Sequence, residues 1–216
     1  MALRTPARIL LGLSALAAAA AMTASAAAPA AHAASLGLTC PNPTSQPFRP
    51  IDGDNAWYAA APGGGFENGA AGWTLAGGAR IVTGNESYMV GGAGQSHSLS
   101  LPAGSSATSP PMCIGLLSYG MRLFVQNSGA ASSNLRVQVI YNGGVGGLLG
   151  SLGCTLGISD RALLTGTTAW QPSPHFLMAG GILPLLTQSV QFRFTPLSTG
   201  GNWRIDDVYL DPLMHR

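Results

Sequence analysis

From Gly63 onward, Gly, Pro, Asn and Ser interrupt the chain at short intervals, and the runs between them are short. Such spacing marks an all-β sandwich or barrel. Within the runs the apolar residues recur with period two. Leu135, Val137, Val139 and Tyr141 alternate with Arg136, Gln138 and Ile140, and Val190, Phe192 and Phe194 alternate with Gln191, Arg193 and Thr195. Successive side chains of an extended chain point to opposite faces, so these runs predict strands with one buried face. Residues 97–101 and 119–126 read the same way. Residues 143–157, rich in Gly and Leu, read as either a hairpin or a loop.

The last run departs from strict alternation. Trp203 and Ile205 share a face, as do Val208 and Leu210, but Ile205 and Val208 are an odd step apart. One inserted residue at Asp206-Asp207 resets the alternation, so a β-bulge there lets all four apolar residues face one core. The same bulge re-aims an acidic side chain out of the pleat. An uncompensated carboxylate in an apolar strand is costly.

The N-terminus follows other rules. Arg4 and Arg8 flank the start of an apolar run over 9–22, and Ala31-His32-Ala33 is an A-x-A cleavage site. The run decays into Ala, Ser, Thr and Pro, and no basic residue follows it closely, so 1–33 predicts a cleaved signal peptide rather than a membrane anchor. The protein is then expected to be secreted and extracellular. Residues 34–62 hold Pro41, Pro43, Pro47, Pro50 and Pro62 with no periodic apolar pattern. They predict an extended arm lying on the domain, pinned by Trp57 and Tyr58, ahead of a β-sandwich over 63–212.

The 10 basic residues are all arginine and face 8 carboxylates. Arg4 and Arg8 leave with the signal peptide, so the mature chain is near neutral. That excludes a broadly basic surface for nucleic acid or anionic lipid. Charged residues make up only 8% of the chain while 46% is hydrophobic, the opposite of a disordered composition. The surface must be covered largely by uncharged polar residues, which suits contact with neutral polar ligands such as sugars.

Export places Cys40, Cys113 and Cys154 in an oxidising compartment, where one disulfide is expected. Three pairings are open. Cys40–Cys113 is favoured because both cysteines lie beside prolines, where the backbone is stiff, and because the bridge tethers the arm.

Three motifs recur in order: Gly65-Phe66-Glu67-Asn68-Gly69 leading to Gly72-Trp73-Thr74, then Ser96-His97-Ser98-Leu99-Ser100-Leu101, then Trp203-Arg204-Ile205-Asp206-Asp207-Val208-Tyr209-Leu210. Over 63–211 this pattern resembles the galactose-binding-like jelly rolls, in particular carbohydrate-binding modules of the family 4, 9 and 22 type. The chain is also similar to stand-alone secreted proteins of actinobacterial type and unknown function, through Thr39-Cys40-Pro41, the Phe66-Glu67 opening and the Asp-Asp ending. The resemblance implies an antiparallel jelly-roll β-sandwich and a poly- or oligosaccharide ligand. It also implies a structural calcium held by Glu67 and Asp206, with Asp207 as the alternative ligand. Calcium takes six to eight oxygens, many from carbonyls and water, so a few carboxylates suffice.

Nothing pairs two carboxylates for glycoside hydrolysis, and no G-x-S-x-G turn carries a nucleophile. Glu86 and Asp160 sit in loop-like contexts. Trp73 and Trp203, inside the structural motifs, belong to the core. Tyr88, Tyr119 and Trp170 are the candidate sugar platforms, because aromatic faces cover the apolar faces of sugars. The expectation is a non-catalytic glycan-binding domain. The alternative is a secreted structural or protein-partner-binding domain with no sugar ligand.

Overall fold

A computed structural model of the chain describes residues 44–113, 120–143, 155–177, 187–197 and 200–211. Among the described residues one helical turn, α1 (Arg49–Asp52), precedes thirteen strands. These are β1 (Ala59–Ala60), β2 (Thr74–Ala76), β3 (Arg80–Thr83), β4 (His97–Pro102), β5 (Ser106–Thr108), β6 (Met112–Cys113) and β7 (Gly120–Asn127). There follow β8 (Leu135–Gly143), β9 (Thr155–Leu164), β10 (Gln171–Pro172), β11 (Phe176–Leu177), β12 (Thr187–Pro196) and β13 (Asn202–Asp211).

The strands form two sheets. One runs β10-β7-β13-β4-β3, with β1 on β13 and β11 on β7; the other runs β2-β5-β12-β8-β9, with β6 on β12. Apart from the β3-β4 and β8-β9 pairs, neighbouring strands are non-consecutive in sequence, and the pairings between them are antiparallel. This is the jelly-roll β-sandwich that the punctuation and the motifs predict.

The core lies between the sheets. Leu99, Leu101, Met121, Leu123, Val125, Trp203 and Ile205 of the first sheet meet Leu135, Val137, Val139, Val190, Phe192 and Phe194 of the second. In β12 the buried Val190, Phe192 and Phe194 alternate with half-buried Gln191, Arg193 and Thr195, so the second sheet is apolar on one face there, as its sequence says. Trp73 and Trp203 are both core residues.

The first sheet differs: β7 and β13 are buried on both faces. A second cluster, Phe48, Tyr58, Phe124 and Tyr209, covers the outer face. Its rings pack at 4.9 to 6.3 Å between centroids. Two of the four come from the arm. Pro50 near the N-terminus of α1 and left-handed Gly53 at its end give the arm one tight turn that sets Phe48 onto Phe124. Arg122 then clamps the arm. Its Nη1 donates to Asp54 at 2.8 Å and its Nη2 to Asp52. Its Nε donates to the Ser173 carbonyl at 3.0 Å, and its guanidinium lies 4.0 Å from the Phe48 ring centroid. The described part of the arm, 44–62, packs on the outer face of the first sheet, and of Trp57 and Tyr58 only one pins it. Tyr58 is fully buried, whereas Trp57 is exposed.

Residues 1–43, including the segment 1–33 expected to be a signal peptide and Cys40, lie outside the described residues, as do Tyr119, Cys154 and 144–154. Among the described residues no helix is long and apolar enough to cross a membrane.

Candidate functional site

The odd step in the closing run is a real insertion. Asp206 pairs with Phe124 and Tyr209 with Arg122, so β13 spends one more residue than β7 over the same span. Asp207 takes φ 44°, a left-handed conformation that short polar side chains tolerate best. Trp203, Ile205, Val208 and Leu210 all face the core as a result.

The cost is borne by the carboxylates. Asp206 is fully buried and Asp207 is 4% exposed. A third acid joins them: Glu86, also fully buried. The loop after β3 folds over the bulge, and the Glu86 N–H donates to Asp206 Oδ2 at 3.0 Å while the Asp207 N–H donates to Asp206 Oδ1 at 2.9 Å. The Glu86 carboxylate in turn accepts from the N–H groups of Tyr88 and Val90. Gln95 Nε2 donates to Asp207 Oδ1 at 3.3 Å. Asp207 Oδ2 and Gln95 Oε1 are buried with no partner. Gly65 of the opening motif makes room for this contact, since a Cβ there would lie 2.9 Å from Gln95 Nε2 and 3.0 Å from Asp207 Oδ1.

Burial, then the neighbouring Asp207 charge, pushes the Asp206 carboxyl up to about 8, against the pull of its two backbone donors. Burial also raises Asp207, to about 6; the Glu86 and Glu67 charges add to this and the Gln95 hydrogen bond opposes it. Raised carboxyls often mark catalytic acids. These have almost no exposed surface, so they act on the fold and not on a substrate.

Glu67 sits in a turn. Its Oε1 accepts the N–H groups of Ser96 and His97 at 2.8 and 2.7 Å, and its Oε2 faces His97 Nδ1 at 3.1 Å. Although partial burial opposes it, these donors hold the carboxyl below its usual range. Glu67 thus staples the opening turn to the start of β4. Among the described residues no three His, Cys, Asp or Glu side chains converge to hold an ion. What fits a hard cation is the pair of orphaned acceptors, Asp207 Oδ2 and Gln95 Oε1, beside two buried acids. Glu86 escaped the sequence reading because a lone acid between Asn85 and Ser87 looks like a solvated loop; only the fold brings it against the bulge.

The outer face of the first sheet holds the second candidate. Tyr88 is 42% exposed. Its ring lies 5.4 Å from Phe124, and its hydroxyl donates to the Trp170 carbonyl at 3.4 Å. Trp170 is half-buried, packed against the outer cluster on one side, with the Arg204 guanidinium 5.4 Å from its ring centroid. Gln126 Nε2 donates to the Thr168 carbonyl at 2.7 Å and fixes the loop that carries Trp170. Two of the three nominated aromatics are therefore brought together, with polar neighbours, from loops distant in sequence. Beside the arm, a cleft of about 410 Å³ opens at Arg122, Gln171 and Ser173. Every nitrogen of that guanidinium is already engaged by Asp52, Asp54 and Ser173.

No protein-family model matches the chain, and no curated protein matches it. Among solved structures it is similar to the CBM22-1 xylan-binding domain from Paenibacillus barcinonensis Xyn10C, at 15% identity over 72% of this chain and 94% of that one, TM-score 0.48. It is similar also to the C-terminal family 22 carbohydrate binding module of Clostridium thermocellum Xyn10B, at 17% identity over 73% and 94%, TM-score 0.46. A third is TmCBM61 in complex with beta-1,4-galactotriose, at 18% identity over 68% and 94%, TM-score 0.45.

Proposed function

We propose that this is a secreted, non-catalytic domain that binds extracellular or cell-wall carbohydrate on the outer face of the sheet containing β7, β13 and β4. The observation that carries this reading is the pairing of exposed Tyr88 with Trp170, flanked by Arg204 and Gln126. A sugar ring presents an apolar face and a rim of hydroxyls. Here an exposed aromatic face stands beside guanidinium and amide groups held in place by their own hydrogen bonds, which is the pattern such a ligand needs. The low charge content of the chain agrees with a ligand that is read mainly through hydrogen bonds.

The same reading includes one structural calcium at the bulge. Asp207, with Asp206 and the Gln95 carbonyl beside it, would hold the ion; Glu67, committed to Ser96 and His97, would contribute only its charge. The ion's role is to compensate buried acids and so pin the loop after β3 to the closing strand.

The test is retention of the purified protein on a panel of insoluble polysaccharides. Tyr88→Ala and Trp170→Ala are expected to weaken retention about tenfold each, about 1.4 kcal/mol, with the melting curve of Tyr88→Ala nearly unchanged. Exposed Trp57 and Met89 favour a second reading, a protein partner. Failure of every polysaccharide to retain the protein would decide for that one, and steady release of reducing sugar would overturn the non-catalytic assignment.

A further inference from the structure

Resting on the glycan reading, we propose that the ligand of this face is an acidic polysaccharide, one whose sugars carry carboxylates. Strand register supplies the argument. Arg80 pairs with Ser100, Ser100 with Arg204, and Arg204 with Gln126. These four residues form one row across β3, β4, β13 and β7. Their neighbours along the strands, Leu99, Leu101, Trp203, Ile205 and Val125, face the core, so the row faces outward. With adjacent strands ~4.8 Å apart, the two arginines stand ~10 Å from one another.

The row carries two guanidiniums, which only donate, together with the Ser100 hydroxyl and the Gln126 amide, which also accept; Ser100 is itself buried and Gln126 Nε2 is spent on the Thr168 carbonyl. It contains no carboxylate. A site for neutral sugar serves hydroxyls that both give and accept hydrogen bonds, so it mixes acceptors with donors. The two guanidiniums, which accept nothing, match a chain that carries carboxylates.

The hydrogen bonds of Arg204 all go to neutral groups, with the buried Asp206 acting on it only through space. Its Nε donates to Ser98 Oγ at 3.1 Å, and its Nη2 to the carbonyls of Thr83 and Gly84 at 3.0 and 2.6 Å. Gly84 permits this approach, since a Cβ there would lie 2.7 Å from Nη2. Asp206, the next outward residue on the strand, spends its oxygens on the N–H groups of Glu86 and Asp207. Arg80 is exposed and makes a single long bond to the Gly78 carbonyl. Among the described residues neither arginine forms an ion pair. Arg204 is therefore fixed in orientation through Nε and Nη2, and its Nη1 is the nitrogen left to donate to a carboxylate. The chain as a whole is near neutral, so this attraction is local to the row.

The experiment compares binding of polygalacturonate with its fully methyl-esterified form, which has the same chain without the charge. At about 20 mM salt the acid is expected to bind at least about tenfold tighter. That preference should collapse at about 500 mM, where screening shortens the range of exposed charges several-fold. Arg80→Gln, on an exposed edge strand, is expected to cut affinity for the acid about fivefold and leave the ester unchanged, about 1 kcal/mol. Arg204→Gln should abolish the preference. Arg193→Gln, on the opposite sheet, should alter neither. Equal binding of acid and ester, or an Arg80→Gln protein that keeps the full preference, overturns the inference. If neutral xylan is bound and polygalacturonate is not, the inference falls and the glycan reading stands; if no polysaccharide is bound, both fall.

Discussion

At the scale of single residues, the chain pays for its closing bulge in buried carboxylates. Asp206 and Asp207 titrate at about 8 and about 6, both well above the ordinary aspartate near 4. Between roughly pH 4 and pH 8 the folded protein therefore holds protons that the unfolded chain releases, and folding loses stability as pH rises through that window. Glu67 and Asp54 act in the opposite sense. Both are held below their usual range, so their contribution is lost as pH falls below about 4. In chelator the melting temperature is expected to peak near pH 5 and fall by several degrees toward pH 8. Calcium takes the place of the protons, so millimolar calcium should restore the loss at pH 8 and do little at pH 5. Asp207→Asn, which keeps the shape and tolerates the left-handed backbone, should flatten the pH dependence and remove the calcium response. Identical melting curves in calcium and chelator at pH 8 would leave the acids as a purely protonic device and remove the ion from the proposal.

At the scale of elements, the sequence was most legible where one rule governs. Period two located β8 and β12, and the break in period at Asp206-Asp207 located the bulge, because a pleat has no other way to put Ile205 and Val208 on one face. Tyr88 and Trp170 were legible as types, since aromatics in polar loops are few, but their meeting depends on two loops from opposite ends of the fold. Phe48 and Glu86 were not legible, and nothing in the sequence told buried Tyr58 from exposed Trp57. The arm and the loop after β3 carry no repeat, and their buried faces exist only because β7 and β13 present Phe124, Tyr209 and the bulge outward. The arm is thus an element of the fold, not an appendage. Phe48→Ala should cost about 3–4 kcal/mol as a large-to-small change in a fully buried site. Arg122→Ala should cost about 2–3 kcal/mol, below the figure for a fully buried pair because Asp52 is 37% exposed. Limited proteolysis mapped by mass spectrometry is expected to show first cuts within 44–62 in both variants and not in the parent protein. Unchanged cleavage in Phe48→Ala would mean that the arm's backbone pairing with β13, through β1, holds it without the aromatic cluster.

At the scale of the whole molecule, the fold has a sheet covered on both faces, and the outer cover includes the arm, held to the sheet by Phe48, Asp52, Asp54 and Tyr58. Thr44 and Ser45 bond to the Tyr58 carbonyl, so the start of the described arm is tied to the arm itself rather than to the sandwich. A covalent tie upstream of Thr44 would remove the freedom of that end to peel away. Cys40 lies four residues before Thr44, and Cys113 ends β6, which is held against β12 in the second sheet. A Cys40–Cys113 bridge closes a loop of about 70 residues, worth roughly 4 kcal/mol at most through the lost freedom of the unfolded chain. Its effect on a chain of this size is a rise of about 10 °C in melting temperature. Material exported through an oxidising compartment is expected to begin near Ala34 and to give a Cys40–Cys113 peptide without reduction, with Cys154 as a free thiol. Reduction should lower the melting temperature and speed cleavage of the arm together, whereas Cys154→Ser should do neither. A Cys113–Cys154 peptide in the unreduced map would show that the covalent tie lies within the sandwich, and that Phe48, Tyr58 and Arg122 alone hold the arm in place.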